Sequence, residues 1–117
     1  MSVKKIIDYC LSKKGAELVF PFGQWPSVIK VDGRIFAEIY EKDRLKITLK
    51  CDPTLAVLLR QKYPDSVIPG YHVPNRNKRF WNTVLLDDGK QVEKEILEMI
   101  DHSYLEVVKK NKIKKEG

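Results

Sequence analysis

The sequence predicts an α+β fold: a two-layer sandwich whose antiparallel sheet of about five strands carries helices on one face. Three observations lead there. Apolar residues recur with helical spacing near the start, in the middle and near the end of the chain. Strand-like runs with period-two alternation follow the first of these stretches, and two of them meet at Asp32-Gly33. Further strand-like segments separate the second helix from the last. The predicted order is helix, a possible short strand, three strands, helix, two strands, helix.

Val3, Ile6, Ile7, Cys10 and Leu11 form one stripe of the first helix, which Ser2 can cap and Gly15 can end. Ala16 to Phe20 reads as a short edge strand entering Pro21-Phe22-Gly23, where proline offers no ladder donor, and a loop carrying Trp25 follows. Asp-Gly between Ser27–Val31 and Arg34–Tyr40 favours a type I′ hairpin, because both central residues of that turn need positive φ. Alternation sends Ile35, Ala37 and Ile39 to one face and Phe36, Glu38 and Tyr40 to the other. In Arg44 to Lys50 it sends Leu45, Ile47 and Leu49 inward and Arg44, Lys46, Thr48 and Lys50 outward. One sheet face is then apolar beneath the helices, and the opposite face is basic, aromatic and free.

Asp52-Pro53 is a helix start, since the carboxylate accepts from orphan N–H groups and proline lacks only a donor that would go unused. Leu55, Leu58, Leu59 and Lys62 make the stripe of this helix, which stops before Pro64. Tyr71 to Val73 and Arg79 to Leu86 have strand composition and flank the polar turn Pro74-Asn75-Arg76-Asn77-Lys78, which predicts a second hairpin. Asp87-Asp88-Gly89 turns into a last helix with Val92, Ile96, Met99, Ile100, Tyr104 and Val107 periodic along it, fraying into a lysine tail.

At 117 residues, with 43% hydrophobic and 32% charged side chains, the chain is expected to be one folded domain over residues 1–108. Residues 109–117 form a basic tail, with five lysines and one glutamate; it holds most of the formal charge of +6. No apolar run approaches the roughly 20 residues of a membrane span, and no signal peptide opens the chain, so a cytoplasmic location away from membranes is expected. Cys10 and Cys51 read as reduced and half-buried, without nearby thiol or histidine ligands, and neither a metal nor a cofactor is expected. The edge strand near Phe20 can pair with itself, which leaves monomer and weak homodimer both open.

The segments Lys50-Cys51-Asp52-Pro53, Tyr63-Pro64, Pro69-Gly70-Tyr71-His72, Trp81-Asn82-Thr83-Val84, Leu86-Asp87 and Asp101-His102-Ser103-Tyr104 together resemble the MmcQ/YjbR family of small bacterial proteins. Pro21-Phe22-Gly23 and Gly33-Arg34-Ile35-Phe36-Ala37 extend the resemblance, which covers roughly residues 3–108. It implies the CyaY-like, secretion chaperone-like arrangement α-β(3)-α-β(2)-α, and it carries the label of a DNA-binding protein. Similarity to frataxin-type folds raises iron, but the first helix region holds Asp8 among four lysines and no acidic ridge.

The residues that fit DNA binding are cationic or aromatic. Arg76, Lys78 and Arg79, with Asn75 and Asn77, form a turn that either grips phosphates or is simply solvated. Arg44, Lys46 and Lys50, with Lys30, Phe36 and Tyr40, make a strand face on which a nucleic-acid backbone can lie. Trp81 and Tyr71 can stack on bases, although an indole between Phe80 and Val84 more often belongs to a core. His72 fits a packed hydrogen-bonding corner better than a catalyst, and Asp101-His102-Ser103 is no triad because consecutive helical residues point about 100° apart. With no nucleophile and base together, no carboxylate pair and no phosphate-cradling glycine loop, the expected role is non-enzymatic DNA binding. The alternative is a protein-interaction module that receives a partner segment at a sheet edge or face.

Overall fold

The computed structural model describes residues 1–86 and 93–116, with side chains described as far as Lys109. The predicted turn at Asp87-Asp88-Gly89, Val92 and the side chains of the lysine tail beyond Lys109 lie outside the described residues. Helix α1 spans Val3–Leu11 and begins as the sequence indicates, with the Ser2 side chain accepting from the Lys5 N–H at 3.1 Å. Ile6 and Cys10 are its buried residues. Strands β1 (Ala16–Val19), β2 (Ser27–Val31), β3 (Arg34–Tyr40) and β4 (Lys46–Lys50) form a meander. Asp32 and Gly33 have φ of 52° and 76°, the two positive values that a type I′ turn demands. Helix α2 (Pro53–Lys62) is capped by Asp52, whose carboxylate accepts from Leu55 N–H at 3.1 Å. Leu58, expected on its inward stripe, is 55% exposed; Ala56 is the buried residue instead.

The second half of the sheet departs from the expected hairpin. Val67–Pro69 is the strand (β5), Asn75–Phe80 is a 3₁₀ helix, and Trp81–Leu85 is β6. Tyr71 to Val73 form no strand, because the chain turns away at Gly70 and His72 takes a left-handed φ of 58°. A Cβ on Gly70 would lie 2.7 Å from Val73 Cγ2 and 2.9 Å from Trp81 Cβ, so this corner closes only around glycine. The six strands run β1-β2-β3-β4-β6-β5, every neighbouring pair antiparallel. Helix α3 (Glu93–Glu116) lies across β4, β3 and β2. The core beneath the helices gathers Ile6, Ile29, Phe36, Ala37, Ile39, Ile47, Leu49, Val84, Ile96 and Ile100.

Phe36 reaches that core because alternation breaks. The β2–β3 register shifts between Ile29 and Lys30, so that Ile29 faces Ala37 while Lys30 faces Ile35. Phe36 is the extra residue of this bulge, and a bulge can place two successive side chains on one side of a strand. It is fully buried and meets Tyr104 of α3 edge-on at 5.5 Å.

The bulge leaves a gap in the β3–β4 ladder that α3 fills. Leu49 faces Ala37, and continuing that register would oppose Lys50 to Phe36, which are not paired. The fully buried Ser103 hydroxyl stands between them instead, accepting from Lys50 N–H at 2.9 Å and donating to Phe36 C=O at 2.5 Å. Its neighbours in sequence serve other elements. Asp101 accepts from the Tyr9 hydroxyl at 2.6 Å and pairs with the Lys13 ammonium, tying α3 to α1 and the turn after it. His102 Nε2 accepts from Asp52 N–H at 3.1 Å, at the start of α2, and Tyr104 donates its hydroxyl to Lys14 C=O at 2.6 Å. Four consecutive residues of α3 thus address the neighbouring helices, the α1–β1 turn and the sheet, which is what a spread of about 100° per residue allows.

Ser103→Ala should lower stability by about 2–4 kcal/mol, since each buried backbone group left unpaired costs about 1–3 kcal/mol. Urea unfolding measures it, and a loss under about 0.5 kcal/mol would show that the gap closes without the hydroxyl. Burial pushes the Asp101 carboxyl up, but the bonds from Lys13 and Tyr9 and the ammonium charge outweigh it and hold the group below its usual value. A depressed carboxyl stabilises fully above the unfolded value of about 3.9 and loses that contribution as pH falls through the folded value. Asp101→Asn should therefore be less stable than wild type at pH 7, with the difference shrinking below about pH 4; a difference that stays constant across that range would contradict the linkage.

Candidate binding surface

The sheet face turned away from the helices is not left free. Val28, Glu38, Thr48 and Thr83 form a row across β2, β3, β4 and β6, and Val28, Thr48 and Thr83 are wholly buried. The molecule covers them itself. Thr83 Oγ1 lies 2.7 Å from Thr48 Oγ1 and accepts from Tyr71 N–H at 2.7 Å, which holds the Gly70 corner down onto the sheet. Phe22, Trp25 and Pro26 of the β1–β2 loop stand around a cleft together with Glu38 and Tyr40. The expected open basic platform is therefore corrected, because polar threonines on that face recruit a loop backbone and aromatic side chains enclose Lys46.

Lys46 shows the consequence. It points to the predicted face but is only 8% exposed, with its ammonium 4.7 Å from the Tyr71 ring centroid and 5.7 Å from that of Tyr40. It donates to Arg44 C=O at 3.3 Å. The aromatic faces offset part of the desolvation of this charge, by about 0.5–2 kcal/mol each, and its role is to fasten the corner. Tyr40 meets Tyr71 edge-on at 5.2 Å, and its hydroxyl is pushed well above the ordinary tyrosine value by burial, then by the Glu38 charge and Tyr71. His72 lies against Tyr71 at 3.9 Å between centroids, within the aromatic packing of the corner.

Two of the other predicted cations, Lys50 and Arg79, meet at the opposite end of β4. Lys50 Nζ lies 5.2 Å from the Trp81 ring centroid and 5.6 Å from that of Phe80, while the Arg79 guanidinium sits 4.6 Å from Phe80. Trp81 is half-buried beside Lys50 on the outer face, not in the core beneath the helices. Arg34 lines the same cleft as Lys50 and Trp81. Arg76 and Arg79 are exposed on the 3₁₀ helix, whereas Lys78 is half-buried. Arg44 is exposed at the other end of β4, apart from this corner.

Arg60 holds the corner in place, and sequence reasoning passed over it. Its guanidinium donates to Lys78 C=O at 2.7 Å, Trp81 C=O at 3.2 Å and the Asn82 side chain at 2.7 Å, while Asn82 donates to Ala56 C=O at 3.2 Å. An arginine following the Leu58-Leu59 pair on α2 was the available signal. Between α2 and α3 lies a separate apolar pocket of about 190 Å³ over Leu49, Cys51 and Val84, rimmed by Lys62, Glu95 and His102. Cys51 there is buried, not half-buried, and burial raises its thiol to about 12, so the reactive thiolate is scarce at neutral pH. Among the described residues no group of histidine, cysteine and carboxylate side chains is arranged to hold a metal ion, and no helix is long and apolar enough to cross a membrane.

Comparison with known proteins agrees with this architecture. The YjbR family model matches residues 11–106. The chain is 37% identical over 109 residues to the uncharacterized protein YjbR of Escherichia coli K12, covering 92% of this chain and 88% of the relative. It is 37% identical over 94 residues to the uncharacterized protein YbdF of Escherichia coli O157:H7, covering 79% and 72%. The crystal structure of the Deinococcus radiodurans protein DR2400, a DUF419 domain, superposes with a TM-score of 0.85 at 34% identity over 94% of this chain and 80% of that one. A Pseudomonas syringae crystal structure superposes with a TM-score of 0.72 at 28% identity, over 88% and 96%. With its sequence matched across most of its length and its sheet and helices arranged as in these relatives, the chain belongs to the YjbR family.

Proposed function

We propose that this protein is a non-catalytic DNA-binding module of the cytoplasm that contacts phosphates through the corner made by the 3₁₀ helix and the adjoining ends of β4 and β6. One observation carries the reading: Arg76 and Arg79 are exposed on a single short helix beside Lys50, Phe80 and Trp81, with Arg34 on the same cleft. Guanidinium groups fit phosphate oxygens in paired fashion, and half-exposed aromatic rings supply surface for a sugar or base. Arg60 fixes the backbone of that corner through Lys78 and Trp81 carbonyls, so its cations are presented from a held scaffold. Lys46 has no part in this interface, being enclosed at the other end of the strand.

A second reading, a protein-interaction module, is favoured by a different observation. Strand β1 is an edge of the sheet and leads into Phe20 and Phe22, which are 52% and 62% exposed, so a partner strand can add there. Binding of one protein that survives nuclease treatment and is lost on placing proline within β1 would favour it.

The DNA reading is tested by duplex binding over a salt series. Arg76→Glu with Arg79→Glu should weaken binding at least about tenfold at low salt and flatten the dependence of log K on log salt by about 0.9 for each phosphate no longer neutralised. Lys46→Met should leave DNA affinity within about twofold, as its charge is withdrawn from solvent. Binding that ignores both salt and the double substitution would reject the reading.

A further inference from the structure

Away from the cationic corner, the outer side of the sheet holds a cleft of about 330 Å³ lined by Phe22, Trp25, Pro26, Glu38, Tyr40 and His72. That volume lies at the lower end of the roughly 300–1,000 Å³ usual for small-molecule sites. Its walls are aromatic and unusually exposed, with Phe22 at 62% and Trp25 at 41%. A cluster of large exposed rings is a surface that a partner normally covers.

Glu38 gives the cleft its chemistry. The side chain is half-buried, and it makes no hydrogen bond or ion pair among the described residues. Burial alone raises its carboxyl above the usual carboxylate range, with no neighbouring cation holding it down. The Lys46 ammonium on this face is engaged by Tyr71 and Tyr40, and neither Lys46 nor Lys30 lines the cleft. A desolvated carboxylate without a partner is stabilised by any cation that enters beside it. The surrounding ring faces carry negative quadrupoles and add to the same preference.

The kind of cation follows from what the walls lack. A primary ammonium brings three N–H donors and strong hydration, and one carboxylate among carbon surfaces cannot replace that water. A methylated ammonium carries the same charge on an apolar, weakly hydrated shell that rings can enclose. We propose that the cleft binds a quaternary or highly methylated ammonium group, its charge set against the Glu38 carboxylate and its methyl groups against Trp25, Phe22 and Tyr40. Such a group reaches the cleft either as a free small molecule or as a methylated lysine side chain.

Calorimetric titration of the full chain with choline chloride, with a glycine-flanked trimethyllysine peptide and with the neutral isostere 3,3-dimethylbutanol tests this. At least one of the two cations should bind saturably and about tenfold or more tighter than the alcohol. Tighter choline binding assigns the site to free cations, and tighter peptide binding to lysine side chains. Glu38→Gln and Trp25→Ala, each checked for unchanged circular dichroism, should each weaken the cation about tenfold. The proposal is overturned if the alcohol binds as well as both cations, if Glu38→Gln leaves the affinity unchanged, or if neither cation binds at concentrations up to roughly 10 mM. None of these outcomes bears on Arg76 and Arg79, so this site and the DNA reading stand or fall separately.

Discussion

A single hydroxyl closes the layer on which the rest of the molecule is built. The bulge at Phe36 swings a large ring into the core and thereby denies Lys50 its ladder partner, and Ser103 supplies from above the bond that β3 cannot make. Burying an unpaired amide and carbonyl at the centre of the sheet would offset much of what Phe36 contributes by burial, because each such group costs about as much as a well-packed core side chain gains. The position of α3 is thereby fixed along its length as well as against the sheet. Once Ser103 is seated, Asp101 faces Tyr9 and Lys13, and His102 faces the amide that begins α2.

That constraint decides where function can reside. The helix side of the sheet is committed to the core apart from the groove between α2 and α3, and the opposite side is partly claimed by the molecule's own loops. Two parts of the described surface differ in character. At one end of β4, cations stand over Phe80 and Trp81; toward the other, aromatic rings surround a carboxylate that has no counter-ion among the described residues. Charge separates them along a strand of only five residues, Lys46–Lys50.

Much of the fold was legible in the sequence because local chemistry dictated it. Asp32-Gly33 admits few backbone shapes besides the tight hairpin, and Asp52-Pro53 starts a helix whatever surrounds it. Tertiary effects overrode the rest. Period-two alternation cannot anticipate a bulge, so it assigns Phe36 to the wrong face. Strand-like composition at Tyr71 to Val73 reflects aromatic packing over Lys46, not ladder pairing, and the polar stretch after it winds into a 3₁₀ helix that Arg60 braces. Of the expected binding residues, Lys50, Arg79 and Trp81 meet at one corner with Arg76 exposed on the adjoining 3₁₀ helix, while Lys46 is enclosed by Tyr71 and Tyr40. Lys46 could not be told from an exposed lysine by sequence, since the rings that enclose it come from β3 and from beyond β5. In the sequence Glu38 is only one of the outer-face residues of its strand; the aromatic cleft around it makes it a feature.

Amide hydrogen exchange at Lys50 tests the central claim most directly. If the Ser103 hydroxyl completes the ladder, the Lys50 N–H exchanges only through openings whose free energy approaches that of global unfolding, alongside the amides of Ile47 and Leu49. Exchange of Lys50 at the rate of exposed loop amides such as that of Asp43, while its β4 neighbours stay protected, would contradict it.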